Sequence, residues 1–220
     1  MLTTTFLIFV AYLWGAIPSA YMAGRFLKGI DIRTYGSGNV GASNVIEHIG
    51  LMKGFFLGIF DSVGKGTLVI IVAKLLDQSV PIQITVGLVT VAGHNWSPFI
   101  RFTGGRGIAT LTGVMLGFLM WREMLFAAVM IGIIGKVLMR DTALMVLVTL
   151  ILFPVLELLL GQIQFTYMFV AATVIIIAKR LLANWEIPDQ GYPILSVVVN
   201  RILWDRDVPR GVGWTSRKPD

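Results

Sequence analysis

Residues 5–23 read TFLIFVAYLWGAIPSAYMA, nineteen consecutive positions without a charged side chain. A segment in lipid has no water to satisfy its backbone N–H and C=O groups. It must therefore close its own hydrogen bonds as a helix, and about 20 apolar residues cross a hydrocarbon core about 30 Å thick. Residues 165–178, FTYMFVAATVIIIA, carry the same signature near the other end of the chain. Composition agrees: of 220 residues 56% are hydrophobic and 14% charged, where soluble domains carry roughly a quarter charged. The fold class expected is an all-α integral membrane protein.

Polar punctuation divides the chain into seven apolar runs, at 4–24, 52–74, 80–93, 107–121, 124–139, 142–160 and 164–182, which predicts about seven transmembrane helices. The third, fourth and fifth runs are short for a full span. One membrane domain is expected over 1–220, with a helical bundle at 1–182 and a polar tail at 183–220. No basic residue precedes the first run, which is also long for a signal sequence, so it reads as a retained span.

Seven spans put Arg25, Lys28, Arg33, Lys53, Arg101, Arg106, Lys136, Arg140 and the seven basic residues from Lys179 onward on one face, against Lys74 and Arg122 on the other. Short cytoplasmic loops collect Lys and Arg, so this asymmetry predicts an outward N-terminus and a cytoplasmic C-terminus. The net charge of +6 is spread between apolar segments instead of forming one stripe, which argues against nucleic acid. With no cysteine, thiolate metal sites and disulfides are excluded. An amphipathic piece at 194–204 is expected along the inner surface, with Arg201 and Arg206 facing anionic lipid.

Two polar loops on the cytoplasmic face carry the chemistry. The first, YGSGNVGASN at 35–44, has the glycines that let backbone N–H groups converge on an anion, with Ser37, Asn39 and Asn44 as side-chain partners for Gly36 and Gly38. Its spelling matches a dinucleotide fingerprint, but no strand precedes it and Asp61 lies within an apolar run. The second, GHNWSPFIRFTGGRGIAT at 93–110, sets Gly104, Gly105, Arg106 and Gly107 where the fourth run begins. There a helix N-terminus and a guanidinium fork both favour phosphate. His94 at the inner end of the third run could act as acid, base or phosphate donor, whereas His48 reads as a loop residue. Asp61 and Lys65 share one helix face four residues apart. A charge at mid-bilayer costs about 2.5–3.5 kcal/mol, so an inward salt bridge is expected, with Lys65 also able to lend charge to a bound phosphate.

These two loops resemble those of the acyl-phosphate-dependent glycerol-3-phosphate 1-O-acyltransferases, the PlsY family. The patterns GSGNxGASN from Gly36 to Asn44 and GHxxxxFxxFxGGRGxAT from Gly93 to Thr110 run through its first two motifs without a gap, and the similarity extends to about Pro188. The resemblance implies a multi-pass enzyme of the bacterial inner membrane that moves a fatty acyl group from acyl phosphate to the 1-hydroxyl of glycerol 3-phosphate. The products are lysophosphatidic acid and phosphate, with no metal or other cofactor. Besides membrane lipid, it implies a soluble acyl-phosphate-producing enzyme as a partner. Carried over by position, Ser37, Asn39 and His94 are catalytic, and Gly36, Gly38, Asn44, Lys65, Gly104, Gly105, Arg106, Gly107, Arg180 and Glu186 bind substrate or phosphate.

The chain departs from the family pattern at Glu47, where an Arg is usual, and at Val174 and Ile177, where a third motif has His and Asn. Two alternatives follow from the residues: a non-catalytic membrane binder of acyl phosphate or phospholipid, and a small-molecule transporter.

Overall fold

In a computed structural model, residues 2–185 and 191–209 are described. Glu186 lies outside them. The described chain is helical: α1 (Leu2–Gly15), α2 (Ser19–Lys28), α3 (Ala42–His48), α4 (Leu51–Ile59), α5 (Leu68–Leu75), α6 (Val80–Asn95), α7 (Ile108–Gly117), α8 (Trp121–Ala127), α9 (Thr142–Leu159), α10 (Ile163–Leu182) and α11 (Ile194–Trp204). Two π-helical stretches, Phe60–Thr67 and Ala128–Leu138, continue α4 into α5 and extend α8.

All seven apolar runs are helical. Four segments are long and apolar enough to cross a membrane: Leu2–Lys28, Leu51–Leu75, Thr142–Leu159 and Ile163–Leu182. The fourth run is the shortest, because α7 ends at Gly117 and not at 121. The first is not one uninterrupted helix. Pro18 brings no backbone N–H and a fixed φ, so the chain breaks between α1 and α2 and restarts at Ser19. That break leaves the Ala16 and Ile17 carbonyls without helical partners, and side chains from elsewhere take them: Ser97 Oγ donates to Ala16 O at 2.5 Å and Lys65 Nζ to Ile17 O at 2.6 Å.

The main core is built by Val69 and Ile70 of α5, Val91 of α6, Leu111 and Val114 of α7, and Phe153 and Phe169 of α9 and α10. A smaller cluster, including Ala20, Ile32, Val45 and Ile100, underlies the first loop. Many of the exposed side chains are large and apolar, among them Phe55, Phe56, Leu158, Leu159 and Tyr167. An apolar outside wrapped around a core that also contains charges is the pattern of a bundle solvated by lipid.

α11 forms as a helix at 194–204, as expected, but Arg201 on it and Arg206 just beyond it are engaged by protein carboxylates. Arg201 is buried, with Nε and Nη2 on Asp207 at 2.6 and 2.9 Å and Nη1 on Leu181 O at 2.7 Å. Arg206 Nη2 meets Asp141 at 2.9 Å. Carboxylates on the same short segment and at the start of α9 supply counter-charges that an amphipathicity argument does not see. The tail is thereby docked onto α9 and α10.

Candidate functional site

One end of the bundle holds a cavity of about 380 Å³ whose walls come from both polar loops, α6, α9, α10 and the segment after α11. Residues about 165 positions apart, Asn39 and Asp205, line the same space.

The first loop contributes through its C-terminal half: Asn39, Gly41, Ala42 and Ser43 line the cavity. Gly36, Ser37, Gly38 and Asn44 instead build the loop. Gly36 and Gly38 take positive φ values of 55° and 67°, and Ser37 Oγ accepts from Asn39 N at 3.3 Å. The buried Asn44 amide nitrogen reaches the Ile32, Tyr35 and Asn39 carbonyls at 3.0–3.1 Å, so it ties the loop into shape and offers that donor to no ligand. His48 is not a loop residue: it is buried at the end of α3, its Nδ1 3.3 Å from Asn44 O. Asp31 anchors the loop from below, its carboxyl held under the usual range by hydrogen bonds from the Arg33 guanidinium, which also reaches Ile100 O at 3.5 Å.

The second loop divides in the same way. Gly104 N donates to Asn184 Oδ1 at 2.9 Å and Gly105 N to His94 O at 3.0 Å, so in this structure these N–H groups hold the loop in place. Their lack of a side chain is what matters. A Cβ on Gly105 would come within 2.0 Å of His94 Nε2, and only glycine lets backbone pass so close to the imidazole. Gly107, at φ +77°, turns the chain into α7 and lines the cavity with Ile108 and Ala109. The first N–H groups of a helix have no partner within it, and that end of α7 opens onto the cavity at Gly107.

Arg106 and Arg180 both line the cavity, but they are engaged differently. Arg180 gives Nη1 to Ile202 O at 2.6 Å and Nη2 to Ala143 O at 2.8 Å, which fixes it as a positive wall. Arg106 is held through Nε by Asp205, at 2.7 and 2.9 Å from the two carboxylate oxygens, while its Nη1 is buried with no hydrogen-bond partner. Asn39 Oδ1 is likewise buried without a partner. Asp205 Oδ1, although 2.7 Å from Arg106 Nε, also lacks a hydrogen bond. A buried polar atom left unsatisfied costs about 1–3 kcal/mol, so three residues that line one cavity and each keep such an atom make it the candidate ligand site.

Behind the cavity is the expected salt bridge. Lys65 Nζ lies 2.8 Å from Asp61 Oδ1, with both side chains 1% exposed. Ser19 Oγ donates to Asp61 at 2.7 Å and accepts from Lys65 at 3.3 Å. Asp61 reaches the cavity wall; Lys65 does not line it, and its ammonium is taken by the broken helix. His94 is buried on the wall, with Nδ1 3.8 Å from Asp61 and Nε2 packed on Gly105.

Asp205 was not foreseen from sequence, and neither were Asn184 and Lys179. Asn184, at φ 60° and ψ 30°, clamps three elements: its amide nitrogen donates to Gly38 O and Gly104 O at 3.1 Å, and its oxygen accepts from Gly104 N and from Lys179 Nζ at 2.6 Å. Lys179 also donates to Asn95 O. An Asn just past a helix end, where left-handed caps occur, was the available signal. Val174, by contrast, is 62% exposed on the outer surface, and neither it nor Ile177 lines the cavity.

The sequence model of the glycerol-3-phosphate acyltransferase family matches residues 5–185. The chain belongs to this family. Glycerol-3-phosphate acyltransferase 4 of Dehalococcoides mccartyi (strain CBDB1) is 54% identical over 117 residues, 52% of this chain and 50% of that protein. Glycerol-3-phosphate acyltransferase of Prochlorococcus marinus (strain NATL1A) is 44% identical over 116 residues, 53% of this chain and 58% of that protein. The aligned stretch therefore spans about half the length of the curated relatives. Among solved structures, the glycerol 3-phosphate form of PlsY, described as an integral membrane glycerol 3-phosphate acyltransferase, superposes with a TM-score of 0.71 at 30% identity, covering 81% of this chain and 88% of that one. The lysophosphatidic acid form gives 0.69 at 28% identity, with the same coverage. The likeness extends over most of the bundle, and the fold class read from the sequence, all-α and integral to the membrane, stands.

Proposed function

We propose that this family member transfers a fatty acyl group from acyl phosphate to the 1-hydroxyl of glycerol 3-phosphate, releasing lysophosphatidic acid and inorganic phosphate. The observation that carries the reading is a group of unsatisfied buried atoms, Arg106 Nη1, Asn39 Oδ1 and Asp205 Oδ1, in residues lining one cavity. A donor on a cation suits a phosphate oxygen, an acceptor suits an O–H, and glycerol 3-phosphate carries both. Relatives bearing the name glycerol-3-phosphate acyltransferase and the ligands named for the two PlsY structures support the same substrate and product.

The chemistry needs little from the protein beyond placement. The glycerol oxygen, its proton directed at Asn39 Oδ1, attacks the acyl carbonyl. The bond from that carbonyl to the bridging phosphate oxygen breaks, and the departing phosphate takes the hydroxyl proton, so atoms and charge balance without a protein nucleophile. Two anionic substrates repel each other, and Arg106, Arg180 and the start of α7 offset that repulsion as the reacting atoms are brought together. His94 stands at the back of the cavity beside Asp61, shaping the wall against Gly105. The acyl chain extends among the apolar helices, the loops face the cytoplasm of a bacterial inner-membrane protein, and a soluble enzyme supplies the acyl phosphate.

Purified protein in detergent, given palmitoyl phosphate and labelled glycerol 3-phosphate, should form labelled lysophosphatidic acid. Absence of product at high enzyme concentration would sink the proposal. Binding of both substrates by calorimetry without turnover would then favour the non-catalytic reading.

A further inference from the structure

The family match ends at residue 185, yet the cavity does not. Asp205, at the end of α11 and twenty residues beyond that limit, lines it and holds Arg106. We propose that Asp205 is a positioning residue for the phosphate subsite: it fixes the Arg106 guanidinium so that Nη1 is presented to substrate, and the C-terminal segment is thus a working wall of the site. This deepens the acyltransferase reading above and rests on it.

The geometry separates the two edges of the guanidinium. Asp205 engages Nε, and Nη1 remains buried with no partner. A carboxylate that merely filled an empty anion site would be expected to take the nitrogen that lacks a partner. Asp205 also lies close enough to act electrostatically on Lys179 and Arg180, so it stands as counter-charge to a cluster of three cations. Without it, Arg106 is pushed from the cluster by like charge, and a long side chain that is 11% exposed has solvent into which to swing. A planar fork must be oriented before it can grip phosphate oxygens, which is why one anchored edge improves the other.

The segment is built to hold Asp205 firmly. Arg201 locks α11 through Asp207 and Leu181 O, Arg180 reaches Ile202 O, and Arg206 reaches Asp141 at the first turn of α9. Asp205 itself takes a left-handed backbone, φ 53° and ψ 40°, which turns the chain sharply after the helix and brings both Asp205 and Asp207 back toward the bundle.

The test uses full-length protein and steady-state kinetics on both substrates. Asp205→Asn should raise KM for glycerol 3-phosphate or acyl phosphate about tenfold, the weight of one charge-assisted hydrogen bond. Asp205→Glu should recover part of that loss, and combining Asp205→Asn with Arg106→Lys should cost little more than Arg106→Lys alone. Asp207→Asn loosens α11 without touching Arg106. Because that lock seats Asp205, it should raise KM in the same direction but less than Asp205→Asn does, and an unchanged KM in Asp205→Asn overturns the proposal. A lower KM in Asp205→Asn overturns it too, by showing that the carboxylate competes with substrate. Should the wild-type protein make no lysophosphatidic acid, the acyltransferase reading fails separately. Calorimetry with inorganic phosphate then decides the inference: weaker binding in Asp205→Asn sustains it, and equal or tighter binding removes it.

Discussion

Lys65, fully buried, and Arg106, with 11% of its side chain exposed, are both cations paired with an aspartate, but only one of them has anything left to offer. Lys65 has Asp61, Ile17 O and Ser19 around a single ammonium, and nothing in that knot asks for a ligand. Arg106 has Asp205 on one edge and an unsatisfied nitrogen on the other. Burial of charge alone therefore does not distinguish a structural ion pair from a binding group. The distinction lies in whether every hydrogen-bonding direction is filled, and here it separates two cations close to one cavity.

The most severe way to break the comparison is at the knot. Lys65→Met leaves Asp61 buried without its counter-charge, and losing one partner of a buried pair costs about 3–5 kcal/mol. Thermal unfolding in detergent should show a large loss, and Asp61→Asn with Lys65→Met should recover much of it. Full stability in the single variant would mean that the knot is dispensable. Next comes Arg106→Ala, which should reduce kcat/KM about a hundredfold, as for loss of one preorganised donor to developing charge, with an unfolding temperature close to wild type; a fall in stability as large as that of Lys65→Met would erase the contrast. Asn39→Ala should raise KM for glycerol 3-phosphate about tenfold, measured at saturating acyl phosphate. Smallest is Glu47→Arg, whose position is exposed and outside the cavity wall. Its kcat/KM should stay within about twofold, and a clear gain would show that Glu47 reaches the substrate.

How much of this was legible in the sequence follows from the range of each interaction. Apolar runs are local, so the helices were readable, and Asp61 with Lys65 four residues apart could be paired by helix geometry. The site is non-local. Gly104 and Gly105 look like phosphate-binding glycines in a string, but their N–H groups turn out to serve Asn184 and His94, and no spacing rule reveals a partner eighty residues away. Arg201 and Arg206 read as lipid-facing because one lies on an amphipathic helix and the other follows it; their acids, Asp207 and Asp141, are matched to them only by the fold. Asn184 was not legible because its partners Gly38 and Gly104 lie 146 and 80 residues away, while Val174 and Ile177 lie off the cavity.

The break at Pro18 also bears on how such a chain enters a membrane. A lysine arriving in hydrocarbon by itself is opposed by the cost of dehydrating its charge. The nascent chain delivers α1 and α2 first, and with them the Ile17 carbonyl, which lacks a helical partner, and the Ser19 hydroxyl that Lys65 will use. An uninterrupted first helix would present only closed backbone to the incoming segment. The proline thus makes an early, incomplete helix the receptor for a charge that comes later in the chain.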